Sequence, residues 1–243
     1  MRGRGAACAA ALVMLLTGCG EAGEKAGSKP ARTPKPTTAP GVDGDADPGK
    51  VFTDAELKAA LLPAKAVGAK AEASEATLGL FNRHFGGGDW GSCAPGKEAR
   101  EELWRMRGAS AEHTVRPRPG EVDEGDPYVF ERLVSMPAAR AERYLALRLQ
   151  LNEVCPAAAV DTEAAPVTEH HEAGKLPGLG DEAVIETTRT TGGDEYDGTA
   201  EYEVGMRVGG VLVIVRGGTD KALTISSAAR AAQRVRTKLY KAA

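Results

Sequence analysis

Read as a pattern of apolar and polar positions, the chain has one uninterrupted apolar run at its start, a long stretch with almost none, and periodic segments from residue 51 onward. The first periodic segment is VFTDAELKAALLP. Thr53 with Glu56 three residues on makes a capping box, Phe52 and Leu57 can staple across it, and Leu57, Leu61 and Leu62 form a stripe that Pro63 ends, which predicts a short helix. A weak alternation over Ala76 to Asn82 predicts one strand, followed by a glycine-rich loop to Cys93. GASAEHTVRPR and Tyr128 to Val134 carry the alternation and β-branched content of two further strands, with the acidic turn RPGEVDEGDP between them. Ser135 and Pro137 then predict a helix start, and Ala141, Tyr144 or Leu145, Leu147, Leu151 and Val154 recur at helical spacing as far as Cys155.

The last third reads DEAVIETTRTT, EYEVGMRV and VLVIVRG, three strands whose last two meet at Gly209 and Gly210, residues that supply the positive φ of a tight hairpin. VLVIV is apolar at every position, so that strand should be central and covered on both faces, one of them by the terminal helix. That helix begins near Thr219 and Asp220 or at Ser226, presents Leu223, Ala228, Ala231 or Ala232, Val235 and Leu239, and gathers Arg230, Arg234, Arg236, Lys238 and Lys241 toward its end. Cations there suit the helix dipole and read as a solvated face, with contact to anionic lipid or wall polymer as the alternative. The expected fold is α+β, an antiparallel sheet with helices packed on one side.

The opening run changes the setting. Arg2 and Arg4, the uncharged stretch Ala6 to Leu16, and small residues after it have the layout of an export signal over residues 1 to 18. The run is shorter than the ~20 apolar residues that cross a bilayer. Leu16, Thr17, Gly18 and Cys19 follow, and LTGC resembles the bacterial lipobox: aliphatic, small, small, cysteine. That resemblance implies lipidation of Cys19, cleavage before it, and palmitate among the acyl groups that would hold the protein to membrane lipid. A plain signal peptide cut at an Ala-x-Ala site in AACAAA is the alternative. Two acyl chains, at about 0.8 kcal/mol per buried CH₂, anchor stably where one is marginal.

Residues 19 to 50 are rich in Pro, Gly, Lys, Thr and acidic residues, too poor in apolar surface to offset the entropy of ordering. They read as a disordered tether with a root-mean-square reach on the order of 30 Å. Residues 51 to 243 read as the extracytoplasmic domain. With 42% hydrophobic and 27% charged residues, the composition is globular. Losing the two leader arginines takes the chain's −3 to about −5, which gives no footprint for a nucleic acid partner.

Cys8 leaves with the leader, and Cys93 and Cys155 are the pair left once Cys19 carries lipid. A disulfide between them is the economical reading for an exported domain. Two separate thiols, one of them nucleophilic beside a His, is the other; neither Cys sits in a motif that selects it. The sharper motifs weaken on inspection. In HHE, His170 and His171 on an extended chain point to opposite faces, so a metal site would need His84 or His113 from elsewhere; the alternative is a solvent-exposed strand. GLGDEA matches part of a dinucleotide fingerprint but precedes a strand where a helix should open. The acid pairs Asp123 with Glu124 and Asp194 with Glu195 lie in turn-rich loops, and no nucleophile elbow is present. The sequence calls for no catalytic group, cofactor or metal.

The order VFERLVSMPAARAERYLALRLQLNEVC, LPGLGDEA, MRVGGVLVIV and a final Ala-rich helix resembles the extracytoplasmic sensor domain of actinobacterial serine/threonine kinases and related free-standing lipoproteins. The resemblance spans about half the chain. It implies an α+β domain with a ligand-binding cleft, and sensing or binding rather than catalysis. Members carrying two disulfides differ from this chain, which has cysteines for one, and these 243 residues hold no kinase domain. The expected function is therefore a membrane-anchored, cell-envelope lipoprotein with a sensor-like domain. Its ligand would be a small molecule, a wall fragment or an envelope protein. An exported cell-envelope hydrolase, or a carrier of lipophilic molecules, is the alternative.

Overall fold

A computed structural model describes residues 46–83, 90, 93–118, 127–161, 166–193 and 197–241. The signal segment, Cys19, most of the tether, His84 and both acid pairs lie outside the described residues. The elements, in chain order, are α1 (Asp54–Ala60), β1 (Glu72–Ala73), β2 (Thr77–Leu78), α2 (Lys97–Arg105), β3 (Ala109–Arg116), β4 (Val129–Ser135), α3 (Ala138–Val154), β5 (Ala157–Asp161), β6 (Pro166–Lys175), β7 (Glu182–Thr191), β8 (Ala200–Val208), β9 (Val211–Arg216) and α4 (Lys221–Val235). All the described strands join one antiparallel sheet in the order β1-β3-β4-β9-β8-β7-β6-β5, with β2 also on β3. The α+β antiparallel sheet expected from the sequence is present.

β9 explains how the sheet is covered. Side chains alternate across a strand, so Val211, Val213 and Val215 enter one core with α1 and α4, while Leu212 and Ile214 enter a second with α2 and α3. All five are 3% exposed or less, and each contributes roughly 1.5–3 kcal/mol by leaving water. The helices are thus shared between both faces rather than gathered on one. An all-apolar strand requires that, since either face left open would expose three or two large side chains.

Local sequence accounts for most boundaries. Thr53 and Glu56 form both bonds of the capping box at α1. Asp220 caps α4, accepting from Leu223 N at 2.8 Å. Gly209 turns the β8–β9 hairpin at φ +57°. Other expectations shift. The strand expected at 76–82 is two residues of β2 and a 3₁₀ turn over Leu80–Arg83. Ser135 does not cap α3: it closes β4, its hydroxyl accepts from Phe52 N at 2.7 Å, and Pro137 takes the N-cap position. α2 and β5 were not expected; KEAREELWR buries only Ala99 and Leu103, a stripe too thin to stand out. The basic end of α4 is not simply a solvated face. Arg234 donates to the carbonyls of Leu61 and Ala59, and Arg236 is buried against Asp181 at 3.1 Å.

GLGDEA also finds a structural role. Gly180 takes φ +55° with its α-carbon pressed on Arg207, where a Cβ would lie 2.4 Å from the carbonyl oxygen. This places Asp181 to accept from Arg207 at 2.6 Å, from Gly209 N at 2.7 Å and from Arg236. One buried carboxylate so ties the β6–β7 loop to the hairpin and to the C-terminal turn.

Candidate functional site: a charged cleft beside α3

The face of the sheet that α3 covers is apolar at one end and charged at the other. Antiparallel register sets Glu186 of β7 opposite Glu203 of β8, and Glu203 opposite Arg216 of β9. Two carboxylates directly opposite each other repel. Arg148 of α3 resolves this: its Nε donates to Glu186 at 2.8 and 3.1 Å, and its Nη2 donates to Glu203 at 3.3 Å. One turn further, Asn152 donates from Nδ2 to Glu186 at 2.8 Å and to the Arg148 carbonyl at 2.8 Å. Arg216 Nε bonds the second oxygen of Glu203.

The guanidinium of Arg148 also lies over the ring of Trp90, 4.5 Å from its centroid, and that ring meets the His171 ring at 5.5 Å. A flat, delocalised cation stacked on an aromatic face while forking to carboxylates is the use for which arginine differs most from lysine. His171 is buried, with Nε2 3.5 Å from Glu169, while the neighbouring His170 faces the other way and meets Thr191 at 2.9 Å. The two histidines therefore part as the extended chain requires. His113 arrives elsewhere, 3.2 Å from the buried Glu131, and among the described residues no group of three ligating side chains gathers.

Arg148, Glu186, Glu203 and Arg216 border a cleft of about 140 Å³. Thr188, Glu201, Tyr202 and Glu169 of the sheet, with Tyr128 and Gly218, complete its lining. The volume is below the roughly 300–1,000 Å³ of pockets for drug-sized ligands, so it suits a compact ligand or one group of a larger one. Four glutamates face two arginines. Burial, reinforced by the charge of Glu203, pushes the Glu186 carboxyl up despite Arg148. Burial and then the charge of Glu201 push the Tyr128 hydroxyl up as well.

Cys93 and Cys155 form a disulfide across 62 positions, joining the Trp90 turn to the end of α3. The sequence reading marked these cysteines and HHE but missed Arg148, Glu186 and Glu203. A signal was present: Arg148 and Asn152 interrupt the buried stripe of Tyr144, Leu145 and Leu151, and Glu186 and Glu203 stand at inward positions of β-branched strands.

No family model matches the sequence, and no curated protein matches it. Among solved structures, the extracellular domain of PknH from Mycobacterium tuberculosis is similar. The TM-score is 0.48 at 14% identity, over 79% of this chain and 99% of that one.

Proposed function

We propose that this protein is a lipid-anchored extracytoplasmic binding domain whose cleft takes a compact organic cation. The carrying observation is the cleft's charge: four glutamates against two arginines that are already paired with the buried Glu186 and Glu203, while Glu201 is exposed. Carboxyl groups outnumber guanidiniums there, and an excess of one charge in a cleft attracts a counter-charge. The anchor is supported by LTGC at residues 16 to 19, with residues 1 to 18 as the export signal, residues 19 to 50 as tether and membrane lipid as the partner of Cys19. A disulfide fits an oxidising compartment. Sensing, with a small molecule, wall fragment or envelope protein supplying the cationic group, accords with the motif order over residues 128 to 217. A carrier of lipophilic molecules is not favoured, because the cleft is polar.

Calorimetric titration of the mature protein with agmatine, which carries a guanidinium and an ammonium, tests the site. Binding that weakens with added salt and with Glu201→Gln is expected; equal binding of an anion of the same size overturns the reading. Palmitate labelling tests the anchor separately: Cys19→Ala should lose both label and membrane association, and a labelled variant would refute it.

One observation favours a second reading, an exported hydrolase. Glu186, whose carboxyl burial pushes up, stands opposite Glu203, and carboxyls in unlike surroundings divide acid and base roles in glycoside hydrolysis. Release of reducing ends from wall glycan by the wild type, abolished by Glu186→Gln, would decide for it.

A further inference from the structure

A covalent link joins α3 to the turn that carries Trp90. Trp90 is 1% exposed, and its carbonyl accepts from Cys93 N at 3.0 Å, so Trp90 and Cys93 share one turn. Cys155 caps α3, two turns beyond Arg148 and one beyond Leu151 and Asn152. The disulfide therefore joins the turn that carries the ring to the helix that carries the cation lying over that ring. Packing around this junction is close: a Cβ on Gly96 would lie 2.6 Å from Cys155 Sγ and 2.7 Å from Leu151. Cys155 is buried, whereas Cys93 is half-buried, so the bond has one side that a reductant can reach.

We infer that Trp90 is a positioning residue for the Arg148, Glu186 and Glu203 cluster, and that the Cys93–Cys155 disulfide is a redox-sensitive clamp that keeps it in place. The reaction is exchange with a dithiol. One thiolate of the reductant attacks Cys93 Sγ, Cys155 leaves as a thiolate, and the second thiol of the reductant displaces Cys93, so that two electrons and two protons pass to the protein and the reductant closes its own disulfide. With the clamp released, Trp90 withdraws from Arg148, water enters behind the guanidinium, and the burial that raises Glu186 falls. The charged groups that respond are Arg148 on α3, Glu186 on β7, Glu203 on β8, Arg216 on β9, and Glu169 with His171 on β6. The inference concerns this cluster itself and holds whether or not the cleft takes a cation.

The chain has two tryptophans, and Trp104 is exposed, so Trp104→Phe leaves Trp90 as the sole reporter. Emission and acrylamide quenching of the purified mature variant are compared before and after dithiothreitol, with mass spectrometry counting thiols and circular dichroism following the fold. A red shift and severalfold stronger quenching with the fold retained are expected. Carbon NMR of the glutamate carboxyls, assigned with Glu186→Gln, should show Glu186 moving down toward the ordinary range on reduction. Trp90→Leu, with the disulfide intact, should move it the same way. Unchanged emission and titration in fully reduced protein overturn the clamp. So does loss of the whole fold on reduction, which would make the bond a support of the domain at large. A Glu186 titration untouched by Trp90→Leu overturns the positioning role.

Discussion

Arg148→Met removes the cation that two buried carboxylates share while keeping the length of the side chain. The three side chains are 6%, 7% and 9% exposed for Arg148, Glu186 and Glu203, so solvent screening offers little relief. Stripping the partner from a buried charge costs about 3–5 kcal/mol. For a domain of this size that corresponds to a fall in Tm of roughly 6–20 °C. The sign of the pH dependence follows from Glu186. Burial already raises its carboxyl against the pull of Arg148, and without Arg148 it rises further. A group whose native value exceeds its unfolded value lends full stability at acid pH and loses it as pH rises through the native value. The cost of Arg148→Met should therefore be larger at about pH 8 than at about pH 5, because protonation of the orphaned carboxyl relieves it as pH falls. Urea unfolding followed by circular dichroism at both values measures it. Adding Glu186→Gln to the variant should recover part of the loss at the higher pH. A loss under about 1 kcal/mol, the range of exposed pairs, or one independent of pH, would refute the claim that Arg148 neutralises buried carboxylates.

Three other outcomes are expected. Cys93→Ser with Cys155→Ser should cost about 4 kcal/mol by the chain-entropy account of a 62-residue separation, read as a shift in urea midpoint, whereas a change near zero would mean that the open chain keeps the two ends together. Gly180→Ala should cost about 2 kcal/mol or more, because a left-handed residue gains a Cβ 2.4 Å from the Arg207 carbonyl oxygen; an unchanged Tm would show that the β6–β7 loop shifts freely. Burial pushes the Tyr240 hydroxyl from 10.0 up to about 12, although it accepts from Gly210 N. Stability from this group is full below the unfolded value and is lost as pH rises through the native one, so Tyr240→Phe should flatten the alkaline limb of the stability profile, and phenolate absorbance should locate the titration.

Much of the fold is legible where a local rule and the tertiary setting agree. The capping box of Thr53 and Glu56, the Asp220 cap and the Gly209 turn each satisfy backbone groups within a few residues, so no distant partner is needed to foresee them. Ser135 shows the opposite case. It has the composition of a cap, but β4 continues through it because Val211 pairs with it across the strand and Phe52 N needs an acceptor. α2 escaped notice because its buried stripe is two residues, and its neighbours come from α3. Arg236 and Arg234 looked solvated for a similar reason: their acceptors, Asp181 and the carbonyls of Ala59 and Leu61, lie far away in the chain.

The residues alone thus point to an α+β chain with an all-apolar central strand, and they place Cys19 directly after an apolar run and leave two further cysteines suited to pairing. Local periodicity and composition carry that information, because burial and capping act over one or two turns. Which charges meet is decided by register and by the face of the sheet on which α3 packs. Glu186, Glu203 and Arg216 become neighbours only when β7, β8 and β9 align, and Arg148 reaches them only because α3 lies on that face. A buried arginine is an interruption in the pattern of its own helix, and its partners, 38 and 55 residues away, turn the interruption into a site.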